Sequence, residues 1–290
     1  MELIRSLLSV PGNQQKMLDK APGYGADALI LDLEDSVPPD RKSEARDMTA
    51  AFIREQPAVT YVRVNGADTG LLDDDLEAVV VPGLAGIQCP KSDAPEVIAA
   101  IDRRLADLER AQGMAEGSVE IIAGIESVAG VYRCYEILTA ADRVGSSVVG
   151  VAANGDLQRD VGYQHTSSGD ETLYIRSKVL LESRHAGVHP LDGTYASIHD
   201  LDGFEVEAGR ARQLGYRGKK LIHPKQIEPT NRIFLPSARE VEFHQRVLQA
   251  LESAEQEGKA AVTVDGLMVD IAMANQARTV LDWATRAGVI

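Results

Sequence analysis

Two carboxylates, Glu126 and Asp156, stand where apolar runs give out. Ile121-Ile122-Ala123-Gly124-Ile125 stops at Glu126, and the run from Val148 to Ala153 leads to Asp156. Near-continuous apolar runs are the mark of parallel strands buried on both faces. An acid just past such a run sits where the strands of an α/β barrel emerge and their loops build an active site. The two acids are thirty residues apart, about one strand-helix-strand step. Acids on neighbouring strand ends suit a hard cation such as Mg²⁺, which takes one or two carboxylates and fills its octahedron with water and substrate. The same acids would serve equally well as helix caps or as halves of salt bridges, and spacing alone does not choose.

Other residues could join that chemistry. Leu31-Asp32-Leu33-Glu34-Asp35 gathers three acids at one strand end, with Asp32 and Glu34 on the same side by alternation. Acids so close repel unless they hold a cation, water or an arginine; a capping and salt-bridge cluster is the other reading. Arg63 lies inside the apolar strand Tyr61-Val62-Arg63-Val64-Asn65, where a guanidinium needs a carboxylate partner. That partner is either a substrate acid or one of the three acids just named. Asp270 is planted in Gly266-Leu267-Met268-Val269-Asp270, suited to proton transfer or to an ordinary helix N-cap. His223 ends a strand and either lines a pocket or is a loop histidine. The absence of GxSxG, HExxH and Walker loops removes weight from serine hydrolase, zinc protease and P-loop chemistry.

The elements that must position these residues read as strands alternating with helices. Strand-like runs cover Leu3–Val10, Ala28–Leu33, Thr60–Asn65, Gly86–Pro90, Val119–Glu126, Ser146–Ala152, Val188–Tyr195 and Lys220–His223. Helical stretches such as Asn13–Lys20, Lys42–Glu55, Asp93–Gln112 and Asp202–Leu214 separate them. Eight strands in this alternation predict right-handed βαβ units and a closed (β/α)₈ TIM barrel in the α/β class. No GxGxxG follows the first strand, which argues against a dinucleotide-binding sheet. Residues 1–235 are expected to form the catalytic barrel and 236–290 a C-terminal helical extension. The extension opens with a capping box at Ser237-Ala238-Arg239-Glu240, with a helix to about Glu257. A turn at Asp265-Gly266 and a closing helix follow. Its one apolar face must pack on the barrel or on another subunit.

Composition fits this. Of 290 residues, 44% are hydrophobic and only 4% aromatic, a core of Val, Ile, Leu and Ala. A net charge of −14 argues against nucleic acid or an anionic membrane as the main partner. Cys89 and Cys134 form neither a disulfide framework nor a CxxC motif. No apolar run spans a membrane and the N-terminus does not read as a signal peptide, so a cytoplasmic location is expected.

Taken together the chain resembles the citrate lyase beta-subunit-like family, with its malyl-CoA and citramalyl-CoA lyases. The resemblance rests on RSLLSVPGN (5–13), ADALILDLEDSV (26–37), VRVNG (62–66), GIES (124–127), GDLQRDVG (155–162), DGTY (192–195), KKLIHPKQI (219–227) and DGLMVD (265–270). It implies a (β/α)₈ barrel assembled as a homotrimer or hexamer, with Glu126 and Asp156 as Mg²⁺ ligands. It implies Arg63 as the grip on the substrate carboxylate, Glu34 and Asp35 lining the metal's water shell, and Arg5 and Lys16 on the substrate. Asp270 would be the proton-transfer acid, supplied by a neighbouring subunit. The reaction implied is a reversible Claisen cleavage of a 3-hydroxyacyl-CoA to acetyl-CoA and a 2-oxo acid.

Two stretches depart from the family's pattern. Where it often carries an acid directly before the second ligand, this chain reads Ala152-Ala153-Asn154-Gly155-Asp156, which bears on the tuning of the ligand. Where arginines often hold the CoA phosphates, the loop reads Asn13-Gln14-Gln15-Lys16, with Lys16 its lone cation. A CoA-independent aldolase, and a subunit acting on a carrier-bound thioester, are the alternatives this leaves.

Overall fold

The computed structural model describes residues 4–256 and 258–290; Leu3 and Glu257, to which the expected first strand and long helix extend, lie outside the described residues. Eight parallel strands close into a barrel in sequence order. They are β1 (Ser6–Pro11), β2 (Ala28–Asp32), β3 (Thr60–Arg63), β4 (Leu84–Cys89), β5 (Glu120–Ile125), β6 (Val144–Val149), β7 (His189–Asp192) and β8 (Gly218–Leu221). β8 returns to β1 with Leu7 opposite Lys220. The expected TIM barrel is therefore present.

Alternation divides each strand between the barrel interior and the surrounding helices. Ile4, Leu7, Ala28, Ile30, Tyr61, Ile122, Val148 and Leu191 form one buried cluster. Tyr61 fits there because its register partner in β4 is Gly86, where an added Cβ would lie 2.7 Å from the tyrosine ring. Outward residues meet amphipathic helices. Helix Pro95–Ala111, opened by a proline in its first turn, turns Ile98, Ile101 and Leu105 inward. Helix Lys42–Glu55 buries Ala45, Phe52 and Ile53. No helix among the described residues is long and apolar enough to cross a membrane.

The chain divides after Ile233 into two compact units. In the second, Ser237 and Glu240 cap helix Ala238–Gln256 reciprocally: Ser237 N donates to Glu240 Oε2 at 2.8 Å, and Glu240 N to Ser237 Oγ at 3.2 Å. A hairpin of β9 (Val262–Val264) and β10 (Leu267–Val269) turns through Asp265 and Gly266. Both turn residues have positive φ, 50° and 81°, the conformation that suits an Asp-Gly pair in a two-residue turn. Helix Ile271–Arg286 follows, and Val247, Leu251, Val264, Val269, Ala274 and Ala277 make the unit's own core.

Candidate active site

The C-terminal ends of β2, β3, β5, β6 and β8 surround a pocket of about 210 Å³ lined by Asp35, Arg63, Glu126, Asp156 and Lys220 among others. Strand ends place most of these groups. Asp32 is the last residue of β2 and Arg63 of β3, paired across the sheet. Glu126 follows β5 directly, and Asp156 opens the short helix Asp156–Val161 after the β6 loop. That loop turns at Asn154, whose φ of 61° an asparagine adopts more readily than most residues.

Arg63 is already engaged by protein. Its Nε and Nη2 hold the two Asp32 carboxylate oxygens at 2.7 Å each, a fork-to-fork pair. Nη1 reaches Glu34 Oε2 at 2.7 Å and Asp35 Oδ2 at 3.2 Å. Of the two partners open from the sequence, the neighbouring acids are in contact with Arg63. Burial pushes the Asp32 carboxyl up, but Arg63, with the Ser36 N–H, more than reverses this and holds it well below the usual range. Burial likewise favours neutral Arg63, and Asp32 overrides it, so the guanidinium stays charged.

Glu34 differs. It is 7% exposed and its carboxyl is pushed up to about 7 by burial, which Arg63 only partly offsets while Asp35 and Glu126 add repulsion. Its Oε2 is close to Nη1 but out of line for a hydrogen bond, leaving that buried oxygen unpartnered. Lys42 fixes the backbone of this corner, its Nζ donating to the carbonyls of Leu33 and Glu34 and to Asn65 Oδ1.

Lys91 and Lys220 are functional candidates that the sequence reading did not single out. Lys91 has a φ of 46°, a costly conformation for a lysine that places its ammonium 3.3 Å from Asp156 Oδ2 and 3.7 Å from Glu34 Oε1. A lysine directly after Cys89-Pro90 at the end of an apolar strand was the available signal. Lys220 lies in the interior face of β8, and its position within an apolar strand was the corresponding signal.

The remaining expected site residues are placed elsewhere. Arg5 precedes β1, at the end of the barrel opposite the pocket, and is bound to Asp27 through Nε at 2.8 Å and Nη2 at 2.5 Å. The structure does not bring it to the substrate; RSLLSVPGN contributes Ser9 to the pocket lining instead. Lys16 is exposed on helix Gln15–Lys20, which follows β1 at the pocket end of the barrel. His223 caps the turn Pro224–Gln226 by accepting from Lys225 N. Asp270, in the second unit, caps helix Ile271–Arg286: its Oδ1 accepts from Ala272 N at 2.9 Å and Met273 N at 3.2 Å.

The donor set fits a hard divalent cation. Among the described residues no three His, Cys, Asp or Glu side chains converge as a closed metal cage, so Glu126 and Asp156 match an ion that draws its other ligands from water and substrate. Gly150 makes room for this: a Cβ there would lie 2.6 Å from Glu126 Cγ. Around the pocket Asp32, Glu34, Asp35, Glu126 and Asp156 face Arg63, Lys91 and Lys220, and the exposed Arg159 reaches Asp156 Oδ1 at 2.6 Å. With every carboxylate ionised the acids still outnumber the cations, which favours a bound cation.

The comparisons agree with this geometry. The profile of the HpcH/HpaI aldolase/citrate lyase family matches residues 5–224. The citrate lyase subunit beta of Escherichia coli (strain K12) is 36% identical over 289 residues, covering 98% of this chain and 94% of its own. The mitochondrial citramalyl-CoA lyase of Mus musculus is 29% identical, covering 97% and 86%. The crystal structure of CitE from Mycobacterium tuberculosis, in complex with magnesium, acetoacetate and coenzyme A, superposes with a TM-score of 0.79 at 28% identity, covering 99% of this chain and 98% of that one. The chain belongs to the HpcH/HpaI aldolase/citrate lyase family.

Proposed function

We propose that this protein is a Mg²⁺-dependent carbon–carbon lyase acting on a 3-hydroxyacyl-CoA of the malyl–citramalyl type, giving acetyl-CoA and a 2-oxo acid. The observation that carries the reading is the joint opening of Glu126 and Asp156 into one pocket with Arg63 at the C-terminal face of the barrel. Magnesium in the CitE neighbour supports the same ion here, held by Glu126 and Asp156. When bound, it supplies Lewis-acid polarisation of the substrate's oxygens.

The chain's own residues supply the rest. Asp32 holds the Arg63 guanidinium by two bonds, so that its charge stands pre-oriented at the pocket rim. Glu34 and Asp35 flank it and accept from ordered water. In cleavage the bond between the hydroxyl-bearing carbon and the thioester's methylene breaks and the hydroxyl loses its proton. The enolate carbon of the acetyl thioester then gains a proton, for which Asp270 is the proposed donor. Exposed Leu267, Met268 and Ile271 flank Asp270, an apolar collar suited to docking on a neighbouring subunit in a trimer or hexamer. Lys16 is the proposed contact to the CoA phosphates, and a cytoplasmic location goes with this chemistry.

The test is turnover of a 3-hydroxyacyl-CoA panel running from malyl-CoA through citramalyl-CoA to citryl-CoA, with Mg²⁺ and with chelator, trapping the released 2-oxo acid as a hydrazone. Metal-dependent release of the acid is expected. Silence across the panel in the presence of Mg²⁺ would refute the lyase reading.

A further inference from the structure

Among the described residues, Lys220 is a pocket cation without an ion pair, although Glu126, Asp32 and Glu34 attract it at longer range. Arg63 is committed to Asp32, Glu34 and Asp35, and Lys91 to Asp156 and Glu34. Among the described residues, Lys220 Nζ makes one hydrogen bond, to Gln88 Oε1 at 2.8 Å. β8 and β4 are four strands apart either way round the ring. The bond therefore crosses the barrel interior and sets the ammonium near the axis, on the pocket floor.

Gln88 adds an independent sign. It is fully buried and stands in register with Arg63, on the inward face of β4. With its oxygen turned to Lys220, its Nε2 is a buried donor without a partner. The floor thus presents an ammonium with a single amide acceptor, Gln88, buried behind it. Burial, and then repulsion from Arg63, lower Lys220 to about 8 against the attraction of Glu126, Asp32 and Glu34, so it remains mainly charged at neutral pH. Buried donors and cations left unmatched are costly, and a ligand anion is what matches them.

The substrate places one group where this matters. With the carboxylate and hydroxyl turned toward Glu126 and Asp156, the hydroxyl-bearing carbon carries a further substituent. It is hydrogen in a malyl thioester, methyl in a citramalyl one and carboxymethyl in a citryl one. Hydrogen or methyl would leave the ammonium with Gln88 as its one hydrogen-bond partner, whereas a carboxylate accepts from it. We propose that Lys220, set by Gln88, is the residue that selects a second carboxylate, so that the acid released is a dicarboxylic 2-oxo acid of the oxaloacetate type. The inference rests on the lyase reading of the same pocket and moves its substrate from the malyl–citramalyl type to the citryl analogue.

Calorimetric binding of oxaloacetate, pyruvate and glyoxylate to the Mg²⁺-loaded full chain tests it, with each oxaloacetate solution used fresh. The parent should bind oxaloacetate at least about tenfold tighter than pyruvate, in keeping with the strong rejection of analogues that leave buried polar groups unpaired. Lys220→Met should bring that ratio to within about threefold of one, and Lys220→Arg should keep most of it. Equal binding of pyruvate and oxaloacetate by the parent overturns the inference while leaving the lyase reading standing. So does a Lys220→Met variant that weakens every acid alike, which would make Lys220 a strut. If no acid binds with Mg²⁺ present, the lyase reading falls and takes this inference with it. Should Lys220→Met not fold, the parent ratio still decides.

Discussion

Gly150 offers a sharp perturbation of the proposed metal site, because it is neither a ligand nor a charge. Its N–H donates to Ile125 O at 2.8 Å, which ties the loop after β6 to the residue just before Glu126. A Cβ added there would lie 2.6 Å from Glu126 Cγ, 3.1 Å from its Cβ and 3.2 Å from its Cα, where ordinary contact begins at 3.4 Å. The backbone cannot retreat without losing the Ile125 bond, so the Glu126 side chain must swing by roughly 1 Å, enough to cost about a hundredfold in a positioned site. The φ of Gly150 is not in the left-handed region, so alanine brings no backbone strain of its own. Gly150→Ala should therefore lower Mg²⁺ affinity by at least about tenfold and kcat/KM by up to about a hundredfold, with the metal-free melting temperature shifted only slightly. Calorimetric Mg²⁺ titration beside a thermal melt in chelator reads both. Unchanged Mg²⁺ affinity with a folded variant would refute the placement of Glu126 as a ligand.

Three further outcomes follow from the same geometry. Glu126→Gln and Asp156→Asn should each abolish metal-stimulated turnover, and a fully active Asp156→Asn would remove that residue from the metal. Asp270→Ala should leave Mg²⁺ and 2-oxo acid binding intact while stopping turnover; mixing it with Glu126→Gln subunits should restore part of the activity, and no restoration would place the acid within its own chain. Glu34, raised from 4.5 to about 7, holds a proton in the folded state that the unfolded chain releases. Folding therefore binds protons between those values, and stability falls as pH rises through that window. Thermal melts of the metal-free protein should show the parent losing on the order of 1–3 kcal/mol more than Glu34→Gln between pH 5 and pH 8; parallel losses would contradict the shift.

The barrel was legible in the sequence because buried parallel strands and amphipathic helices leave different periodicities. Helix Lys42–Glu55 matches its expected span, and the strand ends differ by a few residues where loops continue the extended backbone. The acids at the strand ends were legible for the same reason, since a charge interrupts an apolar run. Partners were not. That Arg63 meets Asp32 depends on the β2–β3 register, which pairs the two residues directly. Lys219 and Lys220 look alike in sequence, yet alternation sends one outward to Asp192 and Glu207 and the other into the pocket. Which lysine faces which way is fixed only by the closure of β8 on β1. Arg5 was drawn to the substrate by motif alone, and its place before β1 commits it to Asp27 at the far end.

The charge pattern gives the site an order of events. The whole chain carries −14, and around the pocket carboxylates outnumber cations, so an anionic acid arriving first would meet repulsion at long range and at close range. A divalent ion is drawn by the same field and removes the local excess. Lys91, spanning Glu34 and Asp156, offsets the repulsion between these acids, and its side chain is more than a third exposed. Arg63 is instead buried against Asp32, and breaking such a pair by removing one partner costs about 3–5 kcal/mol. The site thus combines a buried cation in Arg63, more exposed ones in Lys91 and Arg159, and Lys220 on its floor without an ion pair among the described residues. With the acids neutralised by a divalent ion, Lys220 would be the positive charge that an incoming carboxylate encounters last and deepest.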